Sequence, residues 1–278
     1  MLFFYKHVII LVMNILIIGN CTDGLIDLIK SSNFFEKLYI TKNSEPSAIP
    51  DFEYSSIEDL VKKIKRLQID LAIVTDKNFI KNGNVDFLKA NFINVISPNK
   101  KWYNLEKSRL IAKQLLSCYS INFPQNILAP KEFPLVIKTD SKLKNKIVNS
   151  MDELIAIIHE LEGETTFLEE FIEGETFSLL SLWDGKNAQY FYASHILTEV
   201  QEDRLEFLKT KLNFMLSDEK ADFIGFFTIQ LLWAKNDWFV LNFEMAFNEE
   251  NILSNISNIK TDFLYLLEQT IYQNLNEY

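Results

Sequence analysis

Met13-Asn14-Ile15-Leu16-Ile17-Ile18-Gly19-Asn20-Cys21-Thr22-Asp23-Gly24 joins a short apolar run to a glycine-bearing turn. Apolar residues at helical spacing follow directly, in Leu25, Ile26, Leu28 and Ile29. A run this short, closed by glycine, has the length of a strand buried on both faces, and the turn after it leads into a helix. The same alternation recurs outward from this stretch. Strands are expected at 14–18, 37–41, 70–74 and 93–96, and a second helix carries Leu60, Val61, Ile64 and Leu67 behind a capping box at Ser55 and Glu58. Strands alternating with helices specify βαβ units and a parallel sheet, here a Rossmann-like unit of about 90 residues.

Upstream, the apolar run from Val8 to Ile18 is 11 residues long, against about 20 for a membrane span. A secretory leader would want a small-residue cleavage site just downstream, where the strand-to-helix turn stands instead. Met13 is therefore expected to be the natural start, with residues 1–12 as an upstream extension.

Downstream the rhythm changes. A helix is expected at 104–117, with Leu105, Ile111, Leu115 and Leu116 inward, then a strand over Phe133–Lys138. A helix capped by Ser150 and Glu153 follows, with Leu154, Ile158 and Leu161 on one face. The strands Thr166–Phe171 and Thr176–Trp183 come next, with Glu173-Gly174 at the turn between them. A helix at 203–216, strands at 222–233 and 238–244 joined at Lys235-Asn236-Asp237, and a helix at 261–274 complete the pattern. The fold class is α/β, passing to α+β in the second half. The expected division is 13–103 for the Rossmann-like unit and 104–278 for a second domain, which holds a small lid at about 120–172.

Composition narrows the function. Lys+Arg 28 against Asp+Glu 38 gives a net charge of −10 with no basic run, which argues against nucleic acid or an anionic membrane as partner. Seven glycines in 278 residues is a low count, and neither G-x-x-x-x-G-K-[ST] nor G-x-G-x-x-G occurs. Two cysteines, Cys21 and Cys118, supply no disulfide framework and fit a cytoplasmic protein. The three histidines lie too far apart in sequence for a histidine metal motif. No nucleophile elbow is available for a Ser/His/Asp site.

In order, these segments resemble the ATP-grasp enzymes, and among them the phosphoribosylamine–glycine ligases, over about residues 13–275. The family's opening G-N-G-G-R-E survives as Gly19-Asn20. Its D-L-x-I-V stretch and the following G-P-T…L-E-G-S-K run match Asp70–Arg109 without a gap. Its V-I-K-x-D is Val136-Ile137-Lys138-Thr139-Asp140. Its E-E-F-x-x-G-E-E is Glu169-Glu170-Phe171-Ile172-Glu173-Gly174-Glu175-Thr176, the best single match.

The resemblance implies ATP and Mg²⁺ as cofactors. Lys138 and Arg109 would reach the phosphates, backbone groups around Glu169, Glu170, Phe171 and Ile172 would hold the adenine edge, and Glu175 would accept from the ribose hydroxyls. The family's Glu and Asn on the metal strand correspond to Asn242 and Glu244, with the two positions exchanged. Two residues apart on a strand, they share a face.

The sequence departs from the family elsewhere. The glycine-rich loop after V-I-K-x-D is replaced by Asp140-Ser141-Lys142-Leu143-Lys144-Asn145-Lys146, which has no glycine. The G-P-E of the first domain is Thr75-Asp76-Lys77. The loop after Ala193-Ser194-His195 is short. The substrate-side R-F-G-D-P-E is Ala246-Phe247-Asn248-Glu249-Glu250-Asn251, and the family's further C-terminal domain is expected to be lacking.

Three readings stay open at this stage. One is a ligase that phosphorylates glycine and joins it to phosphoribosylamine in purine synthesis. Another is a family member without catalysis that binds nucleotide or a protein partner. The third is a carboxylate–amine ligase with another substrate pair.

Overall fold

The computed structural model describes residues 12–41, 52–139, 145–161, 166–192, 196–255, 259 and 261–275. The expected extension at 1–12 lies outside these residues except for Val12, which is exposed. Asp140–Lys144 and Ala193–His195 also lie outside them.

The first unit is a parallel sheet in the order β2-β1-β3-β4, formed by β1 (Met13–Ile18), β2 (Phe35–Ile40), β3 (Leu71–Val74) and β4 (Val95–Ile96). Helices α1 (Asp23–Lys30), α2 (Ile57–Arg66), α3 (Lys77–Lys81) and α4 (Asn84–Ala90) connect the strands. Alternate residues of β1 enter separate cores. Ile15 and Ile17 pack with Leu25, Ile29 and Leu264, while Leu16 and Ile18 pack with Leu60, Ile64 and Leu88. Burial on both faces is why the strand reads as an unbroken apolar run. At the end of β1, Gly19 has φ +123, and a Cβ there would stand 2.4 Å from Thr75 Oγ1. Only glycine lets β1 turn against the end of β3.

The expected helix at 104–117 is two helices, α5 (Lys100–Lys107) and α6 (Arg109–Cys118). Ser108 is extended (φ −121, ψ 106), serving as C-cap of α5 and N-cap of α6. The break rotates the inward face of α6 onto Ala112 and Leu116, leaving Ile111 44% exposed. The 103/104 boundary expected between units falls inside α5, which packs against the second unit's sheet.

Two antiparallel sheets follow. The lid sheet has the order β6-β5-β7, from β5 (Leu135–Thr139), β6 (Lys146–Val148) and β7 (Thr166–Glu170), backed by α7 (Met151–Glu160). The larger sheet has the order β11-β10-β8-β9, from β8 (Glu175–Trp183), β9 (Ala188–Phe191), β10 (Gly225–Ala234) and β11 (Asp237–Glu244). Thus β7 and β8, adjacent in sequence, belong to different sheets, and Glu173-Gly174 is a crossing between layers and no hairpin turn. Helix α8 (Glu199–Asp218) buries Leu205, Leu208, Leu212 and Met215 against one face of the larger sheet. Helices α9 (Glu249–Asn255) and α10 (Phe263–Ile271) carry Ile252, Phe263 and Leu267 into the core on the other face, with Leu180 and Phe226.

Candidate functional site

A cleft of about 290 Å³ opens between α5–α6 and the edge strand β11, reaching Thr139 at the end of the lid's central strand. Arg109, Lys113, Asn242 and Glu244 line it, with Lys77 and Glu106. Three structural levels therefore meet here: the first unit through Lys77, the helix pair, and both antiparallel sheets.

Helical geometry places the cations. Arg109, Lys113 and Leu116 lie at i, i+4 and i+7 on α6, so they share the stripe that faces the cleft. Behind that stripe the Glu169 carboxylate, 1% exposed, bridges two lysines. Lys113 Nζ stands 2.8 Å from one oxygen and Lys138 Nζ 2.7 Å from the other. Lys113 also donates to the Pro124 carbonyl and to Asn126 Oδ1. Burial, before anything else, pulls the Lys138 ammonium below the usual lysine range; Glu169 opposes this, and the charges of Arg109 and Lys113 add to it. Two lysines on one carboxylate, with Arg109 near enough for its charge to act on Lys138, make this wall of the cleft cationic, in a chain whose net charge is −10.

On β11 a bulge shapes the facing wall. Gln230 pairs with Asn242 and Leu231 with Val240, so Leu241 is the extra residue. Asn242 and Glu244 keep the shared face expected of them, beside Gln230. Glu244 Oε1 accepts from Gln230 Nε2 at 2.9 Å, and Oε2 accepts from Asn248 and Asn251, each at 3.3 Å. Past the strand end, Glu106 Oε2 accepts the backbone N–H of Met245 (2.9 Å) and of Ala246 (3.0 Å), while Oε1 pairs with Lys77 at 2.7 Å.

The remaining expected residues lie on the crossing from lid to larger sheet. The Glu170 N–H donates to the Gln125 carbonyl, its carboxylate accepts from Gln125 N–H, and Lys235 Nζ lies 3.6 Å away. Ile172 is buried against Leu232, Ala234, Phe239 and Leu241. Among the described residues, no hydrogen bond engages the main chain of Phe171 or Ile172. Glu175 is exposed at the start of β8, opposite Trp233. The structure thus gathers Arg109, Lys138, Glu169, Asn242 and Glu244 around one cleft and sets Glu170, Phe171, Ile172 and Glu175 along the crossing beside it. Sequence reasoning missed Lys113 and Glu106. The i, i+4 spacing of Lys113 from Arg109 was a usable signal; Glu106 is the acidic residue of the L-E-G-S-K match, but nothing local pointed to its backbone partners 139 and 140 residues away.

Two antiparallel sheets closing on a cleft, preceded by a parallel βαβ unit, match solved ligases across the whole arrangement. Phosphoribosylamine–glycine ligase from Thermotoga maritima superposes with a TM-score of 0.70 over 94% of this chain and 75% of its own, at 15% identity. D-alanine–D-alanine ligase from Bacillus anthracis, solved with ATP, gives 0.64 over 96% of this chain and 98% of its own, at 18% identity.

The chain has the ATP-grasp fold.

Its curated relatives are phosphoribosylamine–glycine ligases. That of Fusobacterium nucleatum is 21% identical over 88% of this chain and 67% of its own length. That of Pasteurella multocida is 27% identical over 64% of this chain, and the match spans about half (48%) of the relative. No family model matches. Among the described residues, no helix is long and apolar enough to cross a membrane, and no group of three or more His, Cys, Asp and Glu side chains is placed to hold a metal.

Proposed function

We propose that this ATP-grasp cleft binds ATP with Mg²⁺ and that the chain is an ATP-dependent carboxylate–amine ligase. The observation that carries the reading is the facing of two walls. Arg109, Lys113 and Lys138 gather on one side, and Asn242 and Glu244 stand on the other. A polyphosphate is the ligand that needs both. Lysine and arginine meet its oxygens, and Mg²⁺ bound to it asks the protein for only one or two oxygen ligands. Glu244 fits that role. It is the acidic side chain of the pair, its oxygens aligned by three amide groups, two of them at a long 3.3 Å. Asn242 would add a carbonyl oxygen. When bound, the metal would offset the charge of the phosphates during transfer.

The chain's own residues hold the reactants. Glu169 holds the Lys113 and Lys138 side chains in position before any ligand arrives, so their reorganisation on binding is small. The adenine edge falls to the main chain of Phe171 and Ile172. That of Glu170 is already tied to Gln125. Glu175, exposed at the rim, would accept from the ribose.

In the reaction the γ-phosphoryl group passes to a substrate carboxylate oxygen, giving ADP and an acyl phosphate. The amine nitrogen then attacks the acyl carbon, phosphate leaves, and the amine loses a proton. A panel of amino acids, each with amine acceptors, assayed for ADP release tests this. ADP formed only when both an acid and an amine are present is the expected result.

A second reading, nucleotide binding without catalysis, is favoured by one observation. Ala246 stands where the ligases resembled have arginine, and its N–H is taken up by Glu106. ATP binding with no turnover on any pair would select it.

A further inference from the structure

Glu106, the penultimate residue of α5, lines the cleft with its side chain 10% exposed and serves three partners at once. Its Oε2 accepts the backbone N–H of both Met245 and Ala246, at 2.9 and 3.0 Å. Its Oε1 takes the ammonium of Lys77, the first residue of α3, at 2.7 Å. The two N–H groups lie directly past β11, whose last residue is Glu244. No strand pairs with the chain at this point, so a carboxylate from the helix pair supplies the acceptor that sheltered N–H groups require. Hydrogen bonds to an ionised acceptor are roughly twice as strong as neutral ones.

The consequence falls on Glu244. Its carboxylate is aimed by Gln230 on β10 and by Asn248 and Asn251 past the strand end. Asn248 follows Ala246 by two residues, so the segment that Glu106 grips also carries one of the amides that orient Glu244. Glu106 thus acts on Glu244 twice, through the main chain next to it and through the placing of a donor. Lys77 holds the other oxygen of Glu106 from the first unit, which sets the end of β11 against that unit as well as against α5.

We infer that Glu106 is a positioning residue, fixing the end of β11 so that Glu244 presents its oxygens to Mg²⁺ on bound ATP. This rests on the reading of the cleft given above. Residues that orient a metal ligand are felt in metal affinity, whereas the binding of metal-free ATP draws on the cations of the facing wall.

The test measures ATP dissociation constants from thermal unfolding, with Mg²⁺ and with EDTA, on wild type, Glu106→Ala and Glu106→Gln. Wild type should bind ATP more tightly with Mg²⁺. In Glu106→Ala the magnesium complex should bind about tenfold more weakly than to wild type, the low end for loss of a residue supporting a metal ligand, while ATP in EDTA binds both alike. Glu106→Gln keeps an oxygen for the two N–H groups but loses the pair with Lys77, so it should fall between them, and it carries the test if the alanine variant does not fold. Amide hydrogen exchange at Met245 and Ala246 reads the grip without any ligand and should be faster in the alanine variant. A wild-type gain from Mg²⁺ that Glu106→Ala retains in full would overturn the inference and leave the ligase reading standing. So would an equal weakening with Mg²⁺ and with EDTA, which is what a merely structural role predicts. Wild type unmoved by ATP under both conditions would overturn the ligase reading and this inference with it.

Discussion

Glu169 is the residue on which the cleft's charge depends. Buried between Lys113 and Lys138, it neutralises one ammonium and orients both. Removing one partner of a buried ionic group leaves charge uncompensated, typically at a cost of about 3–5 kcal/mol. Glu169→Ala should therefore lower stability by roughly that amount in urea unfolding, whereas Glu170→Ala, on a half-buried residue with a 3.6 Å pair, should cost under about 1 kcal/mol. A Glu169→Ala loss no larger than that of Glu170→Ala would contradict the clamp. Cysteine chemistry provides a second residue-level check. With its thiol pushed up to about 11, by burial first and then by the charges of Glu249 and Asp23, Cys21 is only on the order of one part in a thousand thiolate near pH 8, and exposed Cys118 should be alkylated far sooner. Glu249→Gln removes one of the charges holding the Cys21 thiol up, so labelling of Cys21 should quicken in that variant.

At the scale of elements, the crossing from lid to larger sheet is the most constrained piece of chain. A Cβ on Gly174 would sit 2.2 Å from the Trp233 carbonyl oxygen, a backbone atom that cannot rotate away. Gly174→Ala must push the crossing off β10, with an expected cost of about 1–3 kcal/mol, typical of overpacking, and a weakened response to ATP. An alanine variant as stable as wild type would refute the close approach. The resemblance already marked this glycine by its place in the E-E-F-x-x-G-E-E pattern, but spacing alone placed it only at a turn between two strands. Period-two patterning does not say which sheet a strand joins. The second helix was legible for its buried face, Leu60, Val61 and Ile64, yet its N-cap is Ser56 and not Ser55. Asp59 N–H donates to Ser56 Oγ, and the Asp59 carboxylate accepts from Ser55 N–H. Two adjacent serines present the same signal, and only the backbone angles choose between them. The break at Ser108 stayed hidden because apolar spacing reads through one extended residue. Strand β9, Ala188-Gln189-Tyr190-Phe191, has too little alternation to stand out.

For the whole molecule, the architecture was legible from order. A βαβ rhythm, then a small antiparallel sheet and a larger one, is what the structure shows, because each layer's apolar pattern reports how many of its faces are covered. The cleft was legible in part. Strand residues Lys138, Asn242 and Glu244 could be placed by alternation, whereas contacts made across the chain, Glu106 to Ala246 and Glu249 to Thr22, leave no local trace. A ligand binding between the lid and larger sheet draws its binding energy from both and stabilises the folded chain as a unit. At about 100 times its dissociation constant such a ligand adds roughly 2.7 kcal/mol.

Thermal unfolding titrated with ATP, with and without Mg²⁺, on the wild-type chain and on Lys113→Met tests the central claim most directly. The account predicts an upward shift that is larger with Mg²⁺ in wild type and markedly reduced in the variant. An unfolding temperature that ATP leaves unmoved at millimolar concentration, with or without the metal, would contradict it.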